Sequence, residues 1–216
     1  MSSAPPRSLA VATSNPGKLR ELAALLGDAA AVIPLSALGL TLPEETEASF
    51  EENARAKARF VATRTGMLTL ADDSGLEVGV LHGATGVYSA RYAGPDASDR
   101  DNRRLLLERM NNIPFARRTA RFVCVLAIAD GLGKITTTAG CCDGRISDRE
   151  AGSEGFGYDP VFLLEDGRSM ARLTPEQKND ISHRGRALRR ALPILLASLP
   201  SGTLQLDRHP DPRGQR

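Results

Sequence analysis

The chain has 216 residues, 41% of them hydrophobic, and a formal net charge of +2. That length suffices for one domain or for two lobes sharing a sheet, and the balanced charge argues against the uniform positive field of a protein that tracks nucleic-acid backbones. No apolar run approaches a membrane span, the start of the chain lacks the apolar core of a signal peptide, and Cys124, Cys141 and Cys142 show no Cys-x-x-Cys spacing, which points to reduced thiols in the cytosol.

Leu9 to Thr13 reads as a short buried strand. The loop Ser14-Asn15-Pro16-Gly17 follows, then an amphipathic helix carrying Leu19, Leu22, Leu25 and Leu26. Pro16 and Gly17 permit a sharp turn, and amides at a helix start beside Lys18 suit an anion. The glycine spacing of a Walker A or dinucleotide fingerprint is missing, and any strand-to-helix loop can use these residue types. After a short apolar patch near Val32 come Glu44 and Glu45, which suit either a metal or the positive end of the next helix. Ser49-Phe50-Glu51-Glu52 supplies a capping box for that helix, which runs to about Thr65 and is stopped by Gly66. Phe50, Ala54, Ala58 and Val61 make its apolar face. Asn53 and Lys57 lie one turn apart on a neighbouring line, facing either a cleft or solvent.

Met67 to Ala71 reads as a strand that ends at Asp72-Asp73-Ser74-Gly75. Neighbouring carboxylates on a strand point to opposite faces, so one can hold a divalent metal or poise a water while the other anchors the turn; a plain turn has the same composition. Leu76 to Leu81 is strand-like, a long connection contains Tyr88 and Tyr92, and Ser98 with Asp101 caps a helix through about Asn111. Arg121 to Ala129 and Lys134 to Cys142, joined by Asp130-Gly131-Leu132-Gly133, form an antiparallel hairpin, which predicts a mixed sheet.

The glycine-dense stretch Gly155-Phe156-Gly157-Tyr158-Asp159-Pro160 leads into a strand over Val161 to Leu164. Phe156 either folds into the core or offers its face to a flat ring, where stacking is worth about 1–3 kcal/mol per base. Thr174-Pro175-Glu176-Gln177 opens a short helix that carries Lys178, and Ser182-His183-Arg184-Gly185 precedes the last one. His183 and Arg184 can donate to a base carbonyl or a phosphate, or serve as capping and surface residues. Of 28 basic residues only four are Lys, and Lys18, Lys57 and Lys178 fall in these polar segments, where a compact ammonium suits a phosphate oxygen.

Taken together, these segments resemble the Ham1/RdgB family of inosine triphosphate pyrophosphatases over roughly Leu9 to Leu199. The resemblance rests on Thr13 to Lys18, Glu44-Glu45-Thr46, Ser49-Phe50 with Asn53-Ala54 and Lys57, Ala71 to Leu76, Tyr88 to Tyr92, Gly155 to Pro160, and Ile181 to Gly185. It implies an α/β fold: an elongated mixed β-sheet flanked by helices, in two lobes with an active-site cleft between them. Residues 9–199 would form this single catalytic domain, usually as a homodimer, with residues 1–8 and 200–216 as disordered tails.

The implied activity is Mg2+-dependent hydrolysis of nonstandard purine nucleoside triphosphates (ITP, dITP, XTP, dXTP) to monophosphate and pyrophosphate, cleansing the nucleotide pool. By the same resemblance Asp73 is the catalytic carboxylate, and Glu44 and Asp73 hold the magnesium. Thr13, Ser14, Asn15, Pro16, Gly17, Lys18 and Lys57 hold the triphosphate, with Ser74 beside it. Phe156, Gly157, Tyr158 and Asp159 contact base and sugar, and Lys178, His183 and Arg184 complete the pocket. Glu47, Thr85 and Glu154 depart from the family's usual residues. Two rival readings are a Maf-like pyrophosphatase for pyrimidine triphosphates and a nucleotide-binding sensor without turnover.

Overall fold

The computed structural model describes residues 7–45 and 48–199. Its strands are β1 (Ser8–Ala12), β2 (Ala31–Pro34), β3 (Thr69–Val78), β4 (Thr119–Ala129), β5 (Ile135–Ile146) and β6 (Phe162–Leu163). The helices are α1 (Pro16–Leu26), α2 (Leu35–Leu38), α3 (Phe50–Thr65), α4 (Asp99–Arg109), α5 (Pro175–Ile181) and α6 (His183–Ser198). The strands form one sheet in the order β2-β1-β3-β4-β5-β6. β1 runs parallel to β2 and β3 while the later pairs are antiparallel, so the sheet is mixed, as the hairpin predicts. No helix among the described residues is long and apolar enough to cross a membrane.

Helix starts follow local side-chain chemistry. Asn15 caps α1, Ser49 caps α3, and complete capping boxes open α4 (Ser98 with Asp101) and α5 (Thr174 with Gln177). Alternation along the strands then sorts the core. Leu9, Val11 and Leu70 face α1 and α6 in one cluster with Leu22, Ala187 and Leu188. Ala10, Ala12 and Ala71 face α3 through Ala54, Ala58 and Val61. Further along the sheet Leu76, Val78 and Phe122 join Leu106, Met110 and Phe162 in a separate cluster. The first two clusters, on opposite faces of the same strands, make the core of one lobe, and the third is the core of the second.

The expected strand end at Asp72 is overturned. β3 runs unbroken from Thr69 to Val78 because β4 pairs with it along its whole length, with Asp72 opposite Leu126, Asp73 opposite Val125 and Ser74 opposite Cys124. The turn preference of Asp-Asp-Ser-Gly yields to that ladder, since its side chains find partners elsewhere. β1, by contrast, stops where Ala12 meets Ala71. The expected strand to Leu81 instead becomes a 3-10 turn at Gly79–Leu81, and only Phe162–Leu163 of the strand expected after Pro160 is extended. Ser8 belongs to β1 and Arg7 donates to the Leu196 carbonyl. Residues 1–6 and 200–216 of the expected tails, and Glu47, lie outside the described residues.

Gly75 is needed in β3 for space: a Cβ there would stand 2.5 Å from the Gly86 carbonyl oxygen and 2.5 Å from Ser89 Oγ. We expect Gly75→Ala to cost about 1–3 kcal/mol, the usual range for overpacking. Chemical denaturation would measure it, and an unchanged midpoint would contradict this packing.

Candidate active site

Alternation on β3 places the two adjacent carboxylates in different surroundings. Asp72 follows Leu70 onto the α1 and α6 face, and Ser74 follows it, so a polar patch interrupts that face where the two lobe cores meet. Asp73 follows Ala71 onto the α3 face.

Asp72 has no exposed surface and is saturated with partners. Lys18 Nζ lies 3.0 Å from Oδ1 and Ser74 Oγ donates to the same oxygen at 2.8 Å. Arg184 Nε donates to Oδ2 at 2.8 Å and the Cys124 thiol at 3.3 Å. Burial opposes ionisation of Asp72, but Arg184 and Lys18 overcome it and hold the carboxyl well below its usual range. Cys124 responds in the opposite sense: burial and the Asp72 charge keep it a thiol.

Asp73 sits at the other side of the same strand. Its Oδ1 accepts from Lys57 Nζ at 2.7 Å, and Lys57 also reaches Glu45 Oε1 at 2.9 Å. Asp73 Oδ2 is buried and has no hydrogen-bond partner among the described residues. Burial pushes the Asp73 carboxyl up, Lys57 and Lys18 pull it back only in part, and Glu45 adds to the rise. Lys57 is kept charged against its burial by Asp73 and Glu45. The two lysines also take carbonyls of β3: Lys57 donates to Asp72 O at 2.8 Å and Lys18 to Ser74 O at 3.4 Å. Beyond the end of β1 they therefore occupy positions that a neighbouring strand would fill.

A chain of ion pairs runs from Asp72 to the Phe156 loop. Arg184, 1% exposed, spends Nη1 on Glu21 and Nη2 on Ser74 Oγ at 2.8 Å. Glu21 Oε1 meets Lys178 Nζ at 2.6 Å, and Lys178 pairs with Asp159. Asp159 Oδ2 accepts from the Phe156 amide at 2.9 Å. The Phe156 ring lies against Gly17, where a Cβ would come within 2.7 Å of it, and the Lys178 ammonium stands 4.9 Å from the ring centroid. Phe156, Lys178, His183, Arg184, Ser74 and Asn15 all line one cleft. His183 is buried, stacks on Phe122 at 4.8 Å between centroids, and leaves Nδ1 without a partner among the described residues.

The structure thus gathers Lys18, Ser74, Phe156, Gly157, Asp159, Lys178, His183 and Arg184 along one cleft, with the Asp73–Lys57 pair on the opposite face of β3. Other expected positions differ in what they do. Asn15 Oδ1 accepts from the Gly17 and Lys18 amides at 2.8 and 3.0 Å, so these helix-start donors are already satisfied. Thr13 Oγ1 accepts from the Asn15 amide at 3.2 Å and braces the loop, whereas Ser14 and Pro16 are exposed. Tyr158 turns into the second lobe core and donates to the Ser89 carbonyl at 2.8 Å. Glu44 is exposed, and Glu45 is the carboxylate that reaches Lys57. Glu21 and the clamping role of Asp72 were not singled out in the sequence, and Glu45 was read there as a metal ligand or a helix-start charge, not as the partner of Lys57. The Glu21 signal was its position three residues after Lys18, on the same side of α1.

The sequence profile of the Ham1 family matches residues 9–194. The chain belongs to the Ham1 family. A Methylococcus capsulatus relative named dITP/XTP pyrophosphatase is 48% identical over 186 residues, 84% of this chain and 92% of the relative. An Escherichia coli O157:H7 relative of the same name is 46% identical over 200 residues, 91% of this chain and all of the relative. Among solved structures, a Coxiella burnetii HAM1 protein superposes with TM-score 0.80 at 38% identity, covering 89% of this chain and 100% of that one. A dITP/XTP pyrophosphatase from Mycobacterium abscessus gives TM-score 0.70 at 42% identity, covering 86% and 99%.

In this Ham1 chain His183 is held neutral: burial, then the Arg184 charge, push its imidazole well below the ordinary 6.5. The unfolded chain therefore binds a proton below about pH 6.5 that the folded chain refuses, and stability falls as pH drops through that value, by up to about 1.4 kcal/mol per unit. His183→Gln should remove this part of the slope between pH 6.5 and 5 in denaturation measurements. An identical slope in the variant would contradict a neutral buried His183.

Proposed function

We propose that this chain hydrolyses nonstandard purine nucleoside triphosphates, dITP, ITP and XTP, to the monophosphate and pyrophosphate. The observation that carries the reading is Asp73: a buried carboxyl beside a lysine ammonium, with one oxygen unsatisfied, at the junction of two lobes. Relatives covering most of this chain and bearing the name dITP/XTP pyrophosphatase support the substrate class. The reading includes a homodimer and action on the free nucleotide pool of the cytosol.

A carboxyl raised by burial above its ordinary value is a stronger base than a solvent-exposed carboxylate, which suits it to orienting and deprotonating an attacking water. Lys57 and Lys18 would neutralise the phosphate oxygens on either side of β3, and no covalent enzyme intermediate is required. Among the described residues no group of three or more His, Cys, Asp or Glu side chains gathers to hold a metal. Asp73 Oδ2 and a nearby Glu nevertheless fit magnesium, which commonly takes one or two carboxylates and completes its shell with waters and substrate phosphates. Asp73 with Glu44 or Glu45 would hold it. When bound, the ion supplies further charge neutralisation at the phosphates.

Base choice follows from hydrogen-bond polarity. Arg184 and Lys178 are donors only, and each keeps N–H groups beyond those spent on Asp72, Glu21, Ser74 and Asp159. A purine with a carbonyl at position 6 meets such donors, whereas the adenine amine leaves them unpaired and is refused. Phe156 offers its face to the ring.

Incubated with magnesium, the chain should convert inosine and xanthosine triphosphates to monophosphate and pyrophosphate, resolved by anion exchange, and leave ATP and UTP intact. Turnover confined to UTP would favour the Maf-like reading, and binding without turnover would favour a sensor.

A further inference from the structure

The loop that carries Phe156 is tied down by a helix of the second lobe. Asp99 and Arg103 stand four residues apart in the first turns of α4 and so share one face of it. Both reach Gly157. Asp99 Oδ2 accepts from the Gly157 amide at 2.7 Å, and Arg103 Nη1 donates to the Gly157 carbonyl at 2.8 Å. Both backbone polar groups of one residue are thus taken by side chains of one helix. Arg103 is itself braced, with its Nε 3.0 Å from Glu150 Oε1. The helix is fixed in turn by Leu106 and Met110 in the second lobe core.

Gly155 and Gly157 flank Phe156 with φ of +78° and +59°, a region that glycine enters freely and leaves as freely. The backbone on either side of the ring therefore has little conformational preference of its own, and its direction depends on external ties. Asp159 holds the Phe156 amide, and Tyr158 is anchored on Ser89. The peptides on the far side of the ring are held by Asp99 and Arg103, and Asp99 lines the same cleft as Phe156, Lys178 and His183.

We propose that Asp99 and Arg103 are positioning residues that set the Phe156 ring for the base of the nucleotide, so that the second lobe aligns the specificity wall of the cleft. The inference rests on the reading of Phe156 as the stacking surface. Without the two ties the glycines on either side are released, and the substrate must order the loop as it binds, which weakens affinity and leaves the reacting end of the site intact.

The test is a set of KM and kcat measurements with inosine triphosphate and magnesium on Asp99→Ala, Arg103→Ala and Asp99→Asn, each made with Phe156 present and in a Phe156→Ala background. Asp99→Ala and Arg103→Ala should each raise KM about fivefold and change kcat less than about twofold, consistent with loss of a modest hydrogen bond. Asp99→Asn, which keeps an oxygen acceptor, should recover most of the loss. In the Phe156→Ala background the same substitutions should change KM less than about twofold, because what they position is gone. Unchanged KM in Asp99→Ala and Arg103→Ala, while Phe156→Ala raises it, would overturn this inference alone, as would equal factors in both backgrounds. No effect of Phe156→Ala itself would overturn the stacking reading and the inference with it.

Discussion

Where the two lobe cores meet, Asp72 is a carboxylate sealed from water that stays ionised because Lys18 and Arg184 are held against it. The three charges come from α1, β3 and α6. An ion without its partner in that position costs about 3–5 kcal/mol, so these elements cannot shift apart independently. The same constraint spreads outward. Arg184 fixes Glu21, Glu21 fixes Lys178, and Lys178 fixes Asp159, which holds the backbone at Phe156. One buried carboxylate thereby sets the geometry of a cleft whose lining comes from segments more than a hundred residues apart.

Strand alternation gives its neighbour the opposite assignment. Asp73 lies on the α3 face with Lys57 and Glu45, and its environment raises its carboxyl while that of Asp72 is lowered. Adjacent residues with the same side chain are separated in acidity by their surroundings, the pattern expected when one is structural and the other does chemistry. Lys18 connects the two, binding Asp72 directly and contributing charge at Asp73 from the edge that β1 leaves open.

Much of this was legible locally. Caps at Ser49, Ser98 and Thr174 announce their helices because the chemistry that ends a helix lies within three residues of it. The scarcity of lysine marked Lys18, Lys57 and Lys178, and all three are spent on carboxylates at the lobe junction. What stayed hidden depends on distant pairing. Asp72 to Gly75 has turn composition, and only the ladder to β4 keeps it extended. Which of Glu44 and Glu45 turns inward, and whether Asn15 leaves its helix amides free or caps them, are decided by side-chain directions that residue types do not specify. Asp99 and Arg103 read as ordinary charges of a solvated helix until Gly157 is seen against them.

The central claim, that Asp72 clamps α1 and α6 to β3 and Asp73 does the chemistry, is tested most directly by comparing Asp72→Asn with Asp73→Asn in denaturation and in magnesium-dependent turnover of inosine triphosphate. Asp72→Asn should lose about 3 kcal/mol or more of stability, since Lys18 loses its carboxylate and the fully buried Arg184 is left with Glu21 alone. Asp73→Asn should fold with nearly the parent stability and still bind nucleotide, with turnover reduced by about 100-fold or more. Turnover retained in Asp73→Asn, or a stability loss in Asp73→Asn greater than that in Asp72→Asn, would contradict the account.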